Sequence, residues 1–309
     1  MEMSFTTLGR TDLRVSRVGL GAGGPSRLGR ARGASQVDVE RVIHRALDLG
    51  VNFIDTAAGY GTEPAIGAAL QSLGAQDVMV ATKAGVVRAG EMMSPTQLQA
   101  AVDGSLRDLR RTVLDVFQFH AVEPGDLDGV VTELLPVAER LREQGKIRFV
   151  GITENPSTDV DQQMAAQACE SGLWDTVMVQ YGVFDQLATR RTLPAALRHG
   201  TGTLCMSAAR AALVNEEMLT QVLERLDAGD PEEMRFLLTG ASHTWADLAF
   251  RFAAACDGID MVLVGTGNAD HFEASARAIL APPLPKEQLH WLTERFGATT
   301  GKVLWEGEN

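Results

Sequence analysis

The sequence predicts an α/β fold, a closed (β/α)8 TIM barrel built as a single domain over residues 1–309. Short apolar runs alternate with amphipathic patterns of about ten to twenty residues from residue 18 to about residue 280. Strands that alternate with helices pair in parallel, and eight such units are the number that closes a barrel. A chain of 309 residues is long enough for this architecture in one domain.

Eight segments have the length and apolar composition of buried parallel strands. They are residues 18–21, 52–55, 78–83, 116–120, 147–152, 176–180, 203–206 and 261–264. Most are rich in valine and isoleucine, whose branched side chains favour extended backbone. The spacing between them leaves room for one helix after each strand.

The segments between and after these strands have helical periodicity. They are residues 35–49, 62–71, 94–109, 126–144, 157–171, 186–198, 244–256 and 271–280. In the first of them Val39, Val42, Ile43 and Ala46 recur at helical spacing, and Gly50 stands where a helix commonly ends. The repeated strand–helix unit is therefore complete eight times.

Three further segments lie outside the repeat. Residues 5–7 and 13–15 predict an N-terminal β-hairpin that closes the bottom of the barrel. Residues 215–239 predict extra helical structure after the seventh strand, broken near residues 229–231. Residues 286–296 predict a C-terminal helix, followed by a polar tail that contains Trp305. The structural alternative is an open doubly wound sheet. It is disfavoured because the glycines at 21, 23 and 24 are not followed at once by a helix, as a dinucleotide-binding turn requires.

Composition and charge exclude several classes of protein. A net charge of −12 argues against a nucleic-acid partner, which needs a basic surface. No apolar run approaches the roughly 20 residues of a membrane span, and the first residues lack the basic start of a signal peptide. Cys169, Cys205 and Cys256 have no metal-ligand spacing, so we expect buried thiols, no metal site and a cytoplasmic location.

Four polar residues follow the predicted second, third and fourth strands, where the active sites of such barrels lie. They are Asp55, Tyr60, Lys83 and His120. A buried lysine needs a carboxylate partner, a lysine beside a phenol lowers the pKa of that phenol, and a histidine can donate a hydrogen bond to a carbonyl oxygen. Each residue alone also fits a helix cap or a core position. The four together, on neighbouring strands, favour a site for proton transfer.

Several longer motifs surround these residues. They are Leu-Gly-Arg-Thr-Asp-Leu at 8–13, Val-Gly-Leu-Gly at 18–21, Asp-Thr-Ala-Ala-Gly-Tyr-Gly at 55–61, Ala-Thr-Lys at 81–83, Phe-Gln-Phe-His at 117–120 and Gly-Lys-Ile-Arg-Phe-Val-Gly-Ile at 145–152. In this order they resemble the aldo-keto reductase family. The resemblance extends from Thr7 to about Leu280 and is more specific than any single motif.

The resemblance implies an oxidoreductase that binds NAD(P)H in an extended form and reduces aldehydes or ketones to alcohols, or catalyses the reverse. Tyr60 matches the family's proton donor, Lys83 the residue that tunes it, Asp55 the partner of the lysine, and His120 the residue that orients the carbonyl. These roles agree with those that the residue types suggest. The expected partner is a small carbonyl or alcohol substrate.

The segments that match the family's nicotinamide site depart from its pattern. Thr153 and Glu154 replace a Ser-Asn pair, and an ionised glutamate cannot donate a hydrogen bond as an amide does. Met178 stands where the family has a carboxamide-binding glutamine, while Gln180 lies two residues later on the same face. Met206 replaces a tyrosine that stacks on the ring, and a thioether can also pack there.

Other predicted cofactor contacts lie at the ends of the first, seventh and eighth strands. They are Gly21, Ala22, Ser207, Ala209, Arg210, Gly265, Thr266, Gly267, His271 and Ser275. The lysine and arginine that often hold the 2′-phosphate of NADP fall at Gly265 and His271. Because phosphate recognition is charge-assisted, the absence of these two charged side chains weakens the expected selectivity for NADP(H) over NAD(H). The resemblance to the family favours NADP(H), and NAD(H) stays possible.

We expect the substrate to be contacted by the loops at 23–32, 84–93 and 121–125, by parts of residues 215–239 and by the tail. Val86, Val87 and Met92 in the second of these loops indicate an apolar mouth. Three functions stay open: an active oxidoreductase, a cofactor-binding regulatory or interaction protein of the same fold, and a barrel lyase or isomerase. The third would need a Schiff-base lysine on the sixth strand, and residues 176–180 contain none. The presence of all four of Asp55, Tyr60, Lys83 and His120 favours the active oxidoreductase. Oligomeric state is not predicted.

Overall fold

The computed structural model describes residues 2–88, 90–210, 213, 215–300 and 304. It contains a closed barrel of eight parallel strands, which confirms the predicted fold. In chain order the strands are β1 (Phe5–Thr7), β2 (Arg14–Ser16), β3 (Val18–Gly21), β4 (Phe53–Asp55), β5 (Met79–Gly85), β6 (Val87–Arg88), β7 (Glu91–Met92), β8 (Leu114–Val122), β9 (Ile147–Glu154), β10 (Thr176–Gln180), β11 (Gly202–Met206) and β12 (Met261–Gly265). The barrel order is β3-β4-β5-β8-β9-β10-β11-β12, and β12 pairs with β3 to close it. The neighbours β4, β5 and β8 therefore bring the predicted catalytic residues to adjacent positions.

Helices follow the barrel strands and cover their outer faces. They are α1 (Gln36–Asp48), α2 (Glu63–Ser72), α3 (Pro95–Asp108), α4 (Leu127–Gly129), α5 (Leu135–Glu143), α6 (Gln163–Ser171), α7 (Thr192–His199), α8 (Glu216–Arg225), α9 (Trp245–Ala254), α10 (Ala269–Ile279) and α11 (Lys286–Phe296). A π-helical segment, Val130–Leu134, joins α4 to α5. Capping boxes at Ser35 and Ser94 begin α1 and α3 close to their predicted starts.

Two predicted element boundaries are corrected. Helix α6 begins at Gln163 and not near residue 157, because the side chain of Asp159 accepts the backbone N–H groups of Gln163 and Met164 at 2.8 Å each. The predicted loop at 84–93 contains a small antiparallel hairpin in which Val87 of β6 pairs with Met92 of β7. Both features depend on local hydrogen bonds that apolar periodicity does not encode.

The N-terminal hairpin β1–β2 closes the bottom of the barrel as predicted. Leu8, Leu13 and Val15 are buried against interior-facing residues of the strands, among them Phe53 and Met261. This apolar plug fills the end of the barrel opposite the strand ends that carry Asp55 and Lys83. The Asp55–Lys83 ion pair therefore lies at the end of the barrel away from the plug.

The extra segments after β11 and at the C-terminus are also present. Helix α8 and a 3-10 stretch, Pro231–Leu237, occupy the predicted insertion, and α11 packs its Trp291 edge-on to Phe236 with the ring centroids 5.2 Å apart. Trp305 of the predicted tail lies outside the described residues. Across the described residues, no helix is both long and apolar enough to cross a membrane.

Candidate active site

The structure brings Asp55, Lys83, Tyr60 and His120 together at the mouth of the barrel. Lys83 Nζ lies 2.7 Å from Asp55 Oδ2 and donates a second hydrogen bond to the carbonyl oxygen of Thr56, also at 2.7 Å. Lys83 is only 1% exposed and Asp55 only 4%, so the pair is desolvated on both sides. Since a buried ammonium without a carboxylate would be costly, Asp55 compensates for the burial of the Lys83 amino group beside the site.

Tyr60 lies between this ion pair and His120. Its Oη is 3.3 Å from Nε2 of His120, and the two rings meet edge-on with their centroids 5.5 Å apart. The ammonium of Lys83 lies 5.0 Å from the centroid of the Tyr60 ring. The Tyr60 phenol thus has the ammonium of Lys83 as a neighbour and the imidazole of His120 at hydrogen-bond distance.

Burial dominates the protonation states of these side chains. Burial raises the pKa of Tyr60 above its ordinary value, although Lys83 acts to lower it, so the expected lowering of the phenol's pKa is not found. Burial, with the nearby charge of Lys83, lowers the pKa of His120 to about 3. Burial also raises the pKa of Asp55 against the opposing effect of Lys83. At neutral pH the phenol therefore keeps its proton and the imidazole is uncharged.

Local backbone geometry aims the two proton-handling side chains. A 3-10 turn, Ala58–Tyr60, follows the end of β4 and carries Tyr60 back over the barrel. The ladder between β8 and β9 is irregular just after His120, where Ala121 has a φ of 54°. The backbone N–H of Ala121 donates to Thr153 Oγ1 at 2.8 Å, which holds this strained residue in place.

Two residues of the site were not identified from the sequence. Gln118 Nε2 donates to Asp55 Oδ1 at 3.3 Å, and alternation along β8 places it on the face of His120, which was a usable signal. A Cβ atom added to Gly23 would lie 2.4 Å from Cε2 of Tyr60. The backbone of Gly23 therefore packs directly on the Tyr60 ring, and sequence periodicity does not indicate this contact.

The predicted contacts for the nicotinamide lie at the ends of β9, β10 and β11. Thr153 is in register with Met178, and both are buried, whereas Met206 is partly exposed at the end of β11. Glu154 is buried, and its Oε1 accepts the backbone N–H of Gln180. Burial raises the pKa of Glu154 well above its ordinary value, which favours the protonated form of this carboxyl. A carboxyl that keeps its proton can donate a hydrogen bond, as the amide at this position in the family does.

Buried polar atoms without partners lie in the same region. Among the described residues neither Glu154 Oε2 nor Gln180 Oε1 has a hydrogen-bond partner, while Gln180 Nε2 donates to Asp185 Oδ2 at 2.8 Å. Gln180 also lines a cavity together with Asp185, Ser207 and Arg210. Because a carboxamide has two donors and one acceptor, and a pyrophosphate is an anion, this set of groups fits the polar parts of a nicotinamide dinucleotide.

Ser207 begins the turn at which the pyrophosphate was predicted to bind. It has a φ of 61°, and its carbonyl oxygen accepts the backbone N–H of Arg210 at 3.0 Å. Ala209 lies within this turn and is partly buried. A serine in a left-handed conformation is costly and is commonly found at ligand-binding loops.

The segments predicted for the adenosine end meet at the join between β3 and β12. Gly21 pairs with Gly265 across the join, and Ala22 donates its backbone N–H to the carbonyl oxygen of Asp55 at 2.7 Å. A Cβ atom added to Gly267 would lie 2.4 Å from the backbone nitrogen of Gly29, so these two loops touch through bare backbone.

Helix α10 begins beside this contact. Its cap, Asn268, receives a backbone N–H from His271 at 3.1 Å and donates its own to Thr266 Oγ1 at 3.2 Å. His271 is exposed on the first turn, and Ser275 Oγ donates to the carbonyl oxygen of His271 at 2.9 Å. An exposed histidine at the helix start is free to meet an anionic group.

Among the residues that the structure describes, no group of three or more histidine, cysteine, aspartate or glutamate side chains is arranged to hold a metal ion. The chemistry of the mouth is instead that of a phenol, an imidazole and a buried ion pair.

Comparisons with known proteins identify the family. The profile of the Aldo/keto reductase family matches residues 17–294. L-galactose dehydrogenase from Arabidopsis thaliana is 30% identical over 292 residues, which cover 90% of this chain and 88% of that protein. The NADH-specific methylglyoxal reductase of Escherichia coli (strain K12) is 29% identical over 219 residues, 64% of this chain and 65% of that protein.

A solved structure supports the same fold. The holo form of an aldo-keto reductase from Bacillus halodurans superposes with a TM-score of 0.73 at 24% identity and covers 96% of this chain and 97% of that one. The family profile and the Arabidopsis relative span nearly the whole barrel, including all four residues at its mouth. The chain therefore belongs to the aldo/keto reductase family of oxidoreductases.

Proposed function

We propose that this protein is an NAD(P)H-dependent oxidoreductase that interconverts aldehydes or ketones and alcohols, with Tyr60 as the general acid and base. The observation that carries the proposal is the position of the Tyr60 hydroxyl, 3.3 Å from Nε2 of His120 and beside the buried pair of Lys83 and Asp55. A substrate oxygen at this hydroxyl has a proton donor and a second hydrogen-bond donor within reach.

Each side chain has a separate task. Tyr60 gives its proton to the substrate oxygen in reduction and takes one back in oxidation. His120 is neutral, because burial lowers its pKa to about 3, so it donates one hydrogen bond and orients the carbonyl. Lys83 stabilises the phenolate that remains when Tyr60 has given up its proton, and Asp55 holds Lys83 in position.

The cofactor would be held around the mouth by the residues whose chemistry fits it. When bound, a nicotinamide dinucleotide supplies or accepts the hydride. Thr153, Glu154 and either Met178 or Gln180 would contact the nicotinamide, and Met206 would pack on its ring. The remaining contacts would come from Gly21, Ala22, Ser207, Ala209, Arg210, Gly265, Thr266, Gly267, His271 and Ser275. NADP(H) is the first cofactor to test; the name of the Escherichia coli relative supports NAD(H) as the alternative.

The proposed substrate is a small carbonyl compound or alcohol. Two relatives are named for L-galactose and for methylglyoxal, which are both small and polar. Val87, exposed on the hairpin β6–β7 that follows β5, adds an apolar side chain to this end of the barrel. A panel of short aliphatic, aromatic and sugar aldehydes therefore covers the range to be searched.

The direct experiment is a fluorescence titration with NADPH and with NADH, followed by initial rates with that panel. We expect at least one reduced nucleotide to bind in the micromolar range and at least one carbonyl compound to be reduced. If neither nucleotide binds at up to about millimolar concentration, the proposed cofactor site and the proposed function are wrong.

A further inference from the structure

A loop with three arginines lies over Tyr60. Residues 23–33 connect β3 to α1 and contain Arg27, Arg30 and Arg32. The loop begins at Gly23, whose backbone packs on the Tyr60 ring, and the backbone N–H of Arg27 donates to the carbonyl oxygen of Gly23 at 3.4 Å. Arg27 is thus tied by its backbone to the residue that touches the phenol.

The conformation around Arg27 is strained and anchored. Arg27 has a φ of 44° and Leu28 a φ of 56°, and Gly29 continues the left-handed run at 83°. The side chain of Leu28 is fully buried, and Gly29 is pressed against Gly267. Non-glycine residues hold such conformations only where surrounding contacts compensate, and they are concentrated at functional sites. The loop therefore presents Arg27 from a fixed position.

The guanidinium of Arg27 is available to a ligand. It is exposed, and no carboxylate in the described part of the chain forms an ion pair with it. Arg27 acts to lower the pKa of Tyr60, although its effect is the smallest of several and is outweighed by burial. Arg30 differs, since its Nη1 donates to the carbonyl oxygen of Ala34 within its own loop.

We infer that Arg27 recognises a negatively charged group on the substrate, so that the protein prefers carbonyl compounds that carry a carboxylate or a phosphate. The inference rests on the proposed function for the place of the reacting carbonyl at Tyr60. A chain with a net charge of −12 repels anions at long range, and a local cation at the mouth reverses that effect where the substrate enters. A guanidinium also matches a carboxylate or phosphate in shape.

The test compares two aldehydes of similar shape and different charge, para-carboxybenzaldehyde and para-methylbenzaldehyde. For each aldehyde, kcat/KM is measured with wild type, Arg27→Gln, Arg27→Lys and, as a control in the same loop, Arg30→Gln. We expect Arg27→Gln to reduce the preference for the charged aldehyde by roughly tenfold, mainly through KM, as the loss of one exposed charge-assisted contact implies. Arg27→Lys should keep most of the preference, and Arg30→Gln all of it.

A second measurement is independent of turnover. Calorimetry gives the Kd for binding of para-carboxybenzaldehyde to the protein saturated with an oxidised nucleotide, and Arg27→Gln should weaken this binding by about the same factor. If wild type reduces neither aldehyde but this Kd responds to Arg27→Gln, the proposed function fails while the anion site stands. Equal losses with both aldehydes, or a loss of nucleotide affinity with an unchanged preference, would overturn the inference. The latter result would show that Arg27 serves a cofactor phosphate.

Discussion

At Tyr60, burial and charge act in opposite directions on one phenol. Lys83 favours the phenolate, but removal from water favours the protonated form and is the larger effect, so the pKa of Tyr60 is raised. His120 is affected by the same burial and by the same cation, and both lower its pKa, to about 3. The two side chains therefore keep fixed protonation states across the physiological range, the phenol as an acid and the imidazole as a neutral donor.

These shifts predict the pH dependence of reduction. Reduction needs the protonated phenol, whose pKa lies above the ordinary value of about 10, so kcat/KM should stay level from about pH 5 to 9 and fall only above about pH 10. No decline near the ordinary pKa of a histidine should occur, because His120 is neutral throughout this range. The measurement is kcat/KM for one neutral aldehyde from pH 5 to 10.5. A step between pH 6 and 7 that disappears in His120→Asn would contradict the account.

The proposed cofactor site predicts that single residues influence the choice between NADPH and NADH. His271 is exposed on the first turn of α10, at the position proposed to lie near the 2′-phosphate, and Gly265 ends β12 without a charged side chain. His271→Arg should shift preference toward NADPH over NADH by roughly 1–3 kcal/mol, the value of a charge-assisted hydrogen bond to the 2′-phosphate. The measurement is the ratio of the Kd values for the two nucleotides. His290→Arg, on α11, is the control; an equal ratio in both variants would mean that His271 lies away from the 2′ position.

At the scale of elements, helix packing decides where glycine is required. Gly67 lies in α2 against the end of α3, and a Cβ atom there would be 2.6 Å from the carbonyl oxygen of Asp108. Gly104 lies inside α3, where the nearest atom to an added Cβ is Nη2 of Arg107 at 3.6 Å. Neither glycine has a positive φ, so only the space around each distinguishes them.

Gly67 and Gly104 predict opposite effects of a glycine-to-alanine substitution on the free energy of unfolding. Gly104→Ala should raise the free energy of unfolding by about 0.5–1 kcal/mol, because alanine loses less backbone entropy in a helix. Gly67→Ala should lower it by about 1–3 kcal/mol, because the added methyl group forces α2 away from α3. Urea unfolding with matched m-values measures both. If both variants were equally stable, the close approach of α2 and α3 would be wrong.

The sequence predicts the strands and helices, and the residues at strand ends, better than it predicts side-chain burial and loop conformation. The positions of Asp55, Lys83 and His120 follow from strand ends, and strand ends follow from apolar runs, so the central residues of the site can be located without a structure. The raised pKa of Glu154 is not visible in the sequence, because it depends on the burial of this carboxyl. The place of Arg27 depends on consecutive left-handed residues, and apolar periodicity carries no information about them.

At the scale of the whole molecule, the barrel separates stability from chemistry. The hairpin β1–β2 and the interior side chains form an apolar plug at one end, while the ends of β4, β5 and β8 present the ion pair and the imidazole at the other. Loops can therefore vary over the mouth without disturbing the plug. That the whole chain forms a single domain stays a prediction.

The central claim is that Tyr60 transfers the proton in an NAD(P)H-dependent reaction. The chain offers a matched control, because Tyr181 is its other tyrosine and is stacked on Phe252 with the ring centroids 5.6 Å apart. The most direct measurement is single-turnover reduction of an aldehyde by wild type, Tyr60→Phe and Tyr181→Phe, with the Kd of the reduced nucleotide determined for each. The account predicts a loss of about a hundred- to ten-thousand-fold in the chemical step for Tyr60→Phe alone, with nucleotide affinity unchanged. A Tyr60→Phe variant that keeps the wild-type rate of the chemical step would contradict it.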